Sequence, residues 1–261
     1  MLVSGARADK AARLVAESDP VVVIDPSPRR FVSRGGHKLE AALDRFAIEV
    51  DGRRCLDAGA STGGFTDCLL ARGARDVLAV DVGHGQLDVS LRDDPRVEVR
   101  ERTNIRSLDP AAVGGGPFDL LVADLSFISL VTVAPVLTGA LARRGADIVV
   151  LVKPQFEAGR AEVSRGKGVI RLPEVRLAAL HAVASAFASH GATIMGVMAS
   201  PLLGPAGNAE FLLHARAHAG GTPSPISDAV TAALDAAVHD APDAPGPTDA
   251  ASPPPPTPEA R

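Results

Sequence analysis

The chain has 261 residues, 46% of them hydrophobic, enough for one large α/β core with a small appendage and too apolar for a disordered chain. Its net charge of −4 argues against a uniformly basic nucleic-acid binder. Residues 220–261, however, hold six acids against one base, and the remainder is balanced at 26 bases to 25 acids, so only local patches could hold a phosphate backbone. The two cysteines, Cys55 and Cys68, and the lack of a secretory leader pattern exclude a disulfide framework and lead us to expect a cytoplasmic setting.

In chain order, residues 1–28 read as strand, turn, strand (1–4, then 20–24), too short for a core of their own. An acid-free basic stretch follows, with Arg29, Arg30, Arg34 and Lys38. Leu39, Ala42, Leu43 and Phe46 have the spacing of one helix face, which predicts a helix over 37–46. From there, short apolar runs at 55–58, 77–82, 97–100, 119–123, 148–152 and 193–197 read as strands, most of them separated by amphipathic segments of helical length. That alternation predicts an α/β, Rossmann-like, mostly parallel sheet. A seventh strand, 211–213, follows the sixth after a Gly/Pro-rich turn with no room for a helix, so it should run antiparallel near the carboxyl end. Residues 125–142 carry no charge over nearly a bilayer's length, but Ser126, Ser129, Thr132, Pro135, Thr138 and Gly139 interrupt them; a strand end and a packed helix fit better than a membrane span. A helix is predicted over 227–238, and the acidic, Pro-rich residues 241–261 are expected to be disordered. The domains expected are therefore 1–28, 29–218, a helix within 219–240, and a tail over 241–261.

The run Asp57-Ala58-Gly59-Ala60-Ser61-Thr62-Gly63-Gly64-Phe65 follows a strand and opens a helix, where backbone can approach a ligand at the carboxyl edge of the sheet. Its spacing is D-x-G-x-x-x-G-G rather than the dinucleotide G-x-G-x-x-G. An acid at the strand end suits the ammonium of S-adenosylmethionine better than a pyrophosphate. One strand on, Asp81-Val82 places an acid to accept ribose hydroxyls, and Asn104 after the third strand lies where an adenine edge would. Candidate cofactor contacts are thus Asp57, Gly59, Ala60, Ser61, Gly63, Gly64, Phe65, Asp81, Val82, Asn104 and Asp124. Asp81 by itself could equally be a helix cap.

Asp124 and Lys153 end the fourth and fifth strands and should reach over the cofactor's edge, Pro154 fixing the strand end at Lys153. Lys38 and Glu210 could converge on them, although each taken alone would more often be a surface charge. The chemistry needs no metal, because a sulfonium already makes its methyl group electrophilic. Arg160, Arg165, Lys167 and Arg171, against Glu162, form a second basic cluster. With Arg29, Arg30 and Arg34, its members Arg160, Arg165 and Lys167 are the candidate contacts for a nucleic-acid phosphate backbone. The chain has no Trp or Tyr, so base stacking would fall to Phe, His and Arg.

Seven ordered motifs resemble one family. They are Ser33-Arg34-Gly35-Gly36-His37-Lys38-Leu39, the Asp57 to Phe65 turn, Asp81-Val82-Gly83, Glu101-Arg102-Thr103-Asn104, Ala123-Asp124-Leu125-Ser126-Phe127-Ile128-Ser129, Val152-Lys153-Pro154-Gln155-Phe156-Glu157, and Ser200-Pro201 through Gly207-Asn208-Ala209-Glu210-Phe211. Together they look like the TlyA, or hemolysin A, family with an FtsJ-like ribose methyltransferase domain, over about residues 30–217. The resemblance implies a class I methyltransferase fold with a seven-stranded sheet. It implies S-adenosylmethionine as cofactor, cytidine ribose 2′-hydroxyls of ribosomal RNA or ribosomal subunits as substrate, and a catalytic tetrad at Lys38, Asp124, Lys153 and Glu210. A ribose hydroxyl is a poor nucleophile, so it must be held in line with the methyl group and lose its proton late, work a positioned lysine can do. A monomer without membrane association is expected.

The departure is at the amino end. Family members carry a complete S4 RNA-binding domain, of which residues 2–10 and 21–23 resemble only the closing strands, so a coding extension upstream of Met1 is expected. Two other readings stand beside this one: a methyltransferase for a small molecule or protein, which the basic stretches disfavour, and a membrane-active hemolysin, for which only the uncharged run over 125–142 speaks.

Overall fold

The computed structural model describes residues 30–218 and 225–242, together with 2–3, 6–7, 15–16 and 18–22. Of the tail expected over 241–261, residues 243–261 lie outside the described residues, as does Arg29. The chain divides into two compact units, Met1–Arg30 and Phe31–Arg261. In the first, β1 (Leu2–Val3), β2 (Ala6–Arg7) and β3 (Val21–Val22) form an antiparallel sheet in the order β2-β1-β3. Leu2 pairs with Val22 and Val3 with Val21, within the two strands expected there. β2, only two residues long, carries no alternation that a sequence pattern could reveal.

The second unit runs α1 (Gly35–Arg45), β4 (Arg54–Ala58), α2 (Gly64–Ala71), β5 (Asp76–Val80), α3 (Val89–Arg92), β6 (Val97–Arg100), β7 (Phe118–Ala123), α4 (Leu130–Thr138), β8 (Ala142–Val152), α5 (Pro154–Glu157), α6 (Arg160–Arg165), α7 (Pro173–Ser189), β9 (Ala192–Ala199), β10 (Phe211–Ala217) and α8 (Asp228–His239). Its seven strands lie in the order β6-β5-β4-β7-β8-β10-β9. β6, β5, β4, β7 and β8 are mutually parallel. β10 is antiparallel to both β8 and β9, as the missing helix between β9 and β10 required. Strand order reverses between β4 and β7, and a crevice at the carboxyl ends of the strands belongs at such a point.

Successive residues of each central strand feed opposite cores. Leu56, Leu78, Leu121, Ile148 and Val150 pack on one face with residues of α4, α7 and α8, including Leu137, Val183, Phe187 and Leu234. Cys55, Val77, Leu120, Val122 and Val149 pack on the other with Leu39 and Leu43 of α1 and Cys68 and Leu69 of α2. Both cysteines are buried and their thiols are pushed up to about 12 by burial, so neither is a nucleophile. The uncharged run over 125–142 resolves into a loop and the nine-residue α4, and no helix among the described residues is long and apolar enough to cross a membrane.

Several boundaries differ from expectation, three of them for a clear physical reason. β5 stops at Val80 rather than at 82, leaving Asp81 and Val82 in the turn beyond it, where backbone N–H groups engage the Asp81 carboxylate. β8 begins at Ala142, earlier than expected, because Arg143, Arg144 and Gly145 hide its start; the pairing of β7 with β8 shifts register there. β10 continues to Ala217 through the polar His214 and Arg216. Those two residues and Arg53 surround the buried Asp147 of β8, at 2.9 Å from His214 Nε2, 2.7 Å from Arg53 Nη1 and 3.1 Å from Arg216 Nη2. Burial by itself would raise that carboxyl, but the three hydrogen-bond donors outweigh it and hold it well below the usual carboxylate range.

Candidate active site

The glycines decide where the site lies. Gly59 opens the turn after β4 with φ +85°, and a Cβ there would stand 2.5 Å from the Asp124 carbonyl oxygen, so only glycine lets the ends of β4 and β7 come this close. At Gly64, a Cβ would collide with Ser33 Oγ and the Gly36 amide nitrogen. The amino ends of α1 and α2 therefore meet with no side chain between them, which brings Lys38, one turn into α1, over the turn at residues 59–64.

Two cavities adjoin at this edge. The larger, about 650 Å³, is lined by Gly59, Ser61, Asp81, Val82, Asn104 and Asp124 among others. The smaller, about 300 Å³, is lined by Lys38, Asp124, Lys153 and Glu210, with Arg34, Ala60, Gly64 and Phe65 also in its wall. Gly59, Ser61, Asp124 and Ser126 belong to both. The four expected tetrad residues thus share one chamber, opening onto the crevice expected for the cofactor.

Within the chamber the charges are paired. Lys38 Nζ donates to Glu210 Oε2 at 2.5 Å, both side chains buried. Lys153 follows the last residue of β8 and caps the amino end of α5. Its Nζ lies 2.5 Å from Asp124 Oδ1 and donates to Ser126 Oγ at 3.0 Å. Glu210 is set by the turn before β10: the Ser200 N–H donates to the Glu210 carbonyl, and a Cβ at Gly204 would collide with Glu210 Oε1. Asn208 ties that turn to residues 168–170, its Nδ2 donating to the Gly168 carbonyl at 2.9 Å and its Oδ1 accepting from the Ile170 N–H at 2.8 Å.

In the crevice, Asp81 accepts from the N–H groups of Ser61 (2.8 Å) and Gly83 (2.6 Å), fixing its carboxylate at the wall. Asn104 lines the crevice while its own Oδ1 caps the following turn through the Arg106 N–H. Gly63, φ +99°, lines neither cavity and is instead covered by Leu87 and Leu91.

Asp57 corrects the sequence reading. It was expected to face a ligand, but its side chain is fully buried beneath the turn and lines neither cavity, because odd positions of β4 point toward α2. There Asp57 Oδ2 accepts from Thr66 Oγ1 at 2.7 Å while Oδ1 is buried without a partner. Burial pushes this carboxyl up to about 7, against the Thr66 hydrogen bond and aided by Asp124 and Asp81. The unfolded chain releases the proton near pH 4, so between about pH 4 and 7 the folded state binds the extra proton and stability falls as pH rises. By pH 8 the cost is complete, on the order of 4 kcal/mol. Asp57→Asn cannot ionise; in cofactor-free protein its melting temperature should gain on the wild type by on the order of 10 °C between pH 5 and pH 8. Parallel melting curves at the two pH values check this, and a constant gap would refute it.

The basic residues do not all gather at the chamber. Arg34 is exposed and lines it. Arg165 pairs with Glu162 at 2.8 Å, and Lys167 is exposed with φ +50° between Gly166 and Gly168; neither lines the chamber. Arg30 is exposed and belongs to the first unit, and the Arg160 side chain lies outside the described residues.

Sequence reasoning missed three features. Ser126, in both cavities, holds Lys153. Phe127 is 92% exposed with φ +64°, its ring 5.2 Å from that of Phe156, and nothing in an apolar run announces an outward-facing aromatic. Glu157 accepts from Ser129 Oγ (2.6 Å) and the Leu130 N–H (2.8 Å), a contact between elements that local patterns do not encode.

A family model for FtsJ-like methyltransferases matches residues 31–217, the span that holds the sheet, the crevice and the chamber. The chain belongs to the FtsJ-like methyltransferase family. Among its FtsJ-like relatives, the 16S/23S rRNA (cytidine-2′-O)-methyltransferase TlyA of Mycobacterium tuberculosis is 56% identical over 214 residues, 82% of this chain and 79% of that protein. Hemolysin A of Brachyspira hyodysenteriae is 39% identical over 82% of this chain and 88% of its own length. A solved structure from Streptococcus thermophilus described as a hemolysin superposes with a TM-score of 0.75 at 38% identity, covering 82% of this chain and 76% of that one. The sheet order β6-β5-β4-β7-β8-β10-β9 is thus that of an FtsJ-like methyltransferase.

Proposed function

We propose that this protein transfers a methyl group from S-adenosylmethionine to a ribose 2′-hydroxyl, that of a cytidine, in ribosomal RNA. The observation that carries the reading is the single chamber where Lys38, Asp124, Lys153 and Glu210 meet, joined to a crevice with a fixed acid at its wall. The 56% identity to an enzyme named for this reaction supports it.

The crevice suits the cofactor on two counts. The turn at Gly59 presents backbone without side chains, and Asp81 offers a carboxylate aligned by two N–H donors, the partner a ribose diol requires. Gly59, Ala60, Ser61, Asp81, Val82 and Asn104 would hold it, with Asp57 bracing the turn from below through Thr66. When bound, S-adenosylmethionine supplies an electrophilic methyl group. Lys153 Nζ, held by Asp124 and Ser126, orients the acceptor oxygen and stabilises the charge it gains as it bonds to the methyl group and its proton passes to water in the chamber. Lys38, fixed by Glu210, holds the ribose from the other wall. Arg34 at the rim, with Arg29, Arg30, Arg160, Arg165 and Lys167, supplies phosphate contacts, and the protein works in the cytoplasm, where its substrate is.

Labelled cofactor incubated with ribosomal subunits, free ribosomal RNA and bulk protein tests the reading. Label is expected in RNA, at a dinucleotide that resists alkaline hydrolysis. Label in protein alone would overturn the reading.

A further inference from the structure

The loops that follow the adjacent parallel strands β7 and β8 are joined at three levels. At the base, Lys153 Nζ meets Asp124 and Ser126. In the middle, the rings of Phe127 and Phe156 lie 5.2 Å apart, with Lys153 Nζ 5.8 Å from the Phe156 centroid. At the far end, the Glu157 carboxylate takes two donors from the start of α4, Ser129 Oγ at 2.6 Å and the Leu130 N–H at 2.8 Å. Ser129 in turn caps α4 by accepting from the Val131 N–H. The first loop needs such a tie: residues 124–129 contain Phe127 at φ +64°, a conformation that costs a side-chain-bearing residue about 1–3 kcal/mol and persists only when its surroundings enforce it. The second loop is short, since α5 spans only Pro154–Glu157, so a displacement of its last residue reaches Lys153 within one turn.

We infer that Glu157 is a positioning residue for methyl transfer, a latch that locks the 124–129 loop against α5 and so fixes Lys153 Nζ and Ser126 at the junction of the two cavities. This deepens the proposed function and rests on its assignment of Lys153. Glu157 lines neither cavity, so its effect is expected on the chemical step and not on cofactor affinity. A misplacement of about 1 Å in a catalytic group can cost on the order of 100-fold in rate.

The test compares Glu157→Ala, Glu157→Gln and Ser129→Ala with the wild type, in single-turnover methylation of ribosomal RNA well below each melting temperature, with cofactor Kd by calorimetry. Glu157→Ala is expected to slow transfer on the order of 100-fold with cofactor Kd unchanged. Glu157→Gln keeps an acceptor for the Leu130 N–H and a polar partner for Ser129, and should recover to within a few-fold of wild type. Ser129→Ala, which removes one of the two donors, should fall between. Wild-type rates for Glu157→Ala, or equal impairment of the Ala and Gln variants, would overturn the inference. Should Glu157→Ala not fold, Ser129→Ala carries the test, and a wild-type rate there overturns the inference as well. Lys153→Ala measured alongside separates the two claims. If it is active, the assignment of Lys153 falls; if it is inactive while Glu157→Ala is normal, only the latch falls.

Discussion

Lys153→Ala should abolish methyl transfer while leaving cofactor Kd within a few-fold of the wild type. Lys153 Nζ reaches into the smaller chamber, against Asp124 and Ser126, and does not line the larger crevice. Removing it takes away a group acting on the acceptor oxygen in the transition state, a loss of about 100- to 10,000-fold for a positioned acid–base group. The side chain is buried, so truncation also leaves the Asp124 carboxylate short of a cation. For that reason Lys153→Met, which fills the same volume, is the companion variant. Both should show the loss in single-turnover rate, and RNA methylated at the wild-type rate by either would remove Lys153 from the mechanism.

Glu210→Ala should be the most destabilising single change in the chamber. Glu210 is 1% exposed, and its partner Lys38 is 8% exposed at the side chain, so truncation strands an ammonium in a buried site. Breaking a buried pair from one side costs about 3–5 kcal/mol, whereas replacing both members with apolar groups is often neutral or stabilising. The double variant Lys38→Met with Glu210→Leu should therefore recover the urea midpoint that Glu210→Ala loses, yet remain without activity. Stability and chemistry are read separately in that pair of experiments. A Glu210→Ala protein as stable as the wild type would show that Lys38 finds water in the folded state and that the pair does not brace the chamber.

The sheet was legible because its signal is local. Runs such as 120–123 and 148–152 are apolar throughout, as strands covered on both faces must be, and the absence of a helix between β9 and β10 dictated an antiparallel partner. The strand ends before Asp124 and at Lys153 were legible for the same reason, being charges that stop apolar runs, whereas Asp81, read inside a strand, lies in the turn just beyond β5. Which way a side chain turns beneath a ligand-binding loop is settled by packing. Asp57 and Asp81 look alike in the sequence, yet one is sealed against Thr66 and the other stands at the crevice wall. The union of Lys38 with Glu210 spans 172 positions and relies on the close approach of α1 to α2 at the bare Gly64, so the residues alone left it a possible convergence and the family resemblance named it as part of a tetrad. The Glu157 contacts and the outward Phe127 had no local signature at all.

The wall common to the two cavities has a practical side. Gly59, Ser61, Asp124 and Ser126 border both, so the place proposed for the methyl donor and the place proposed for a nucleoside meet along one edge. A single molecule joining an aminoalkyl-adenosine head to a cytidine could lie across that border and fill both chambers. Its second half would bind at the high effective concentration set by a short tether, so such a hybrid inhibitor should outperform either fragment by orders of magnitude.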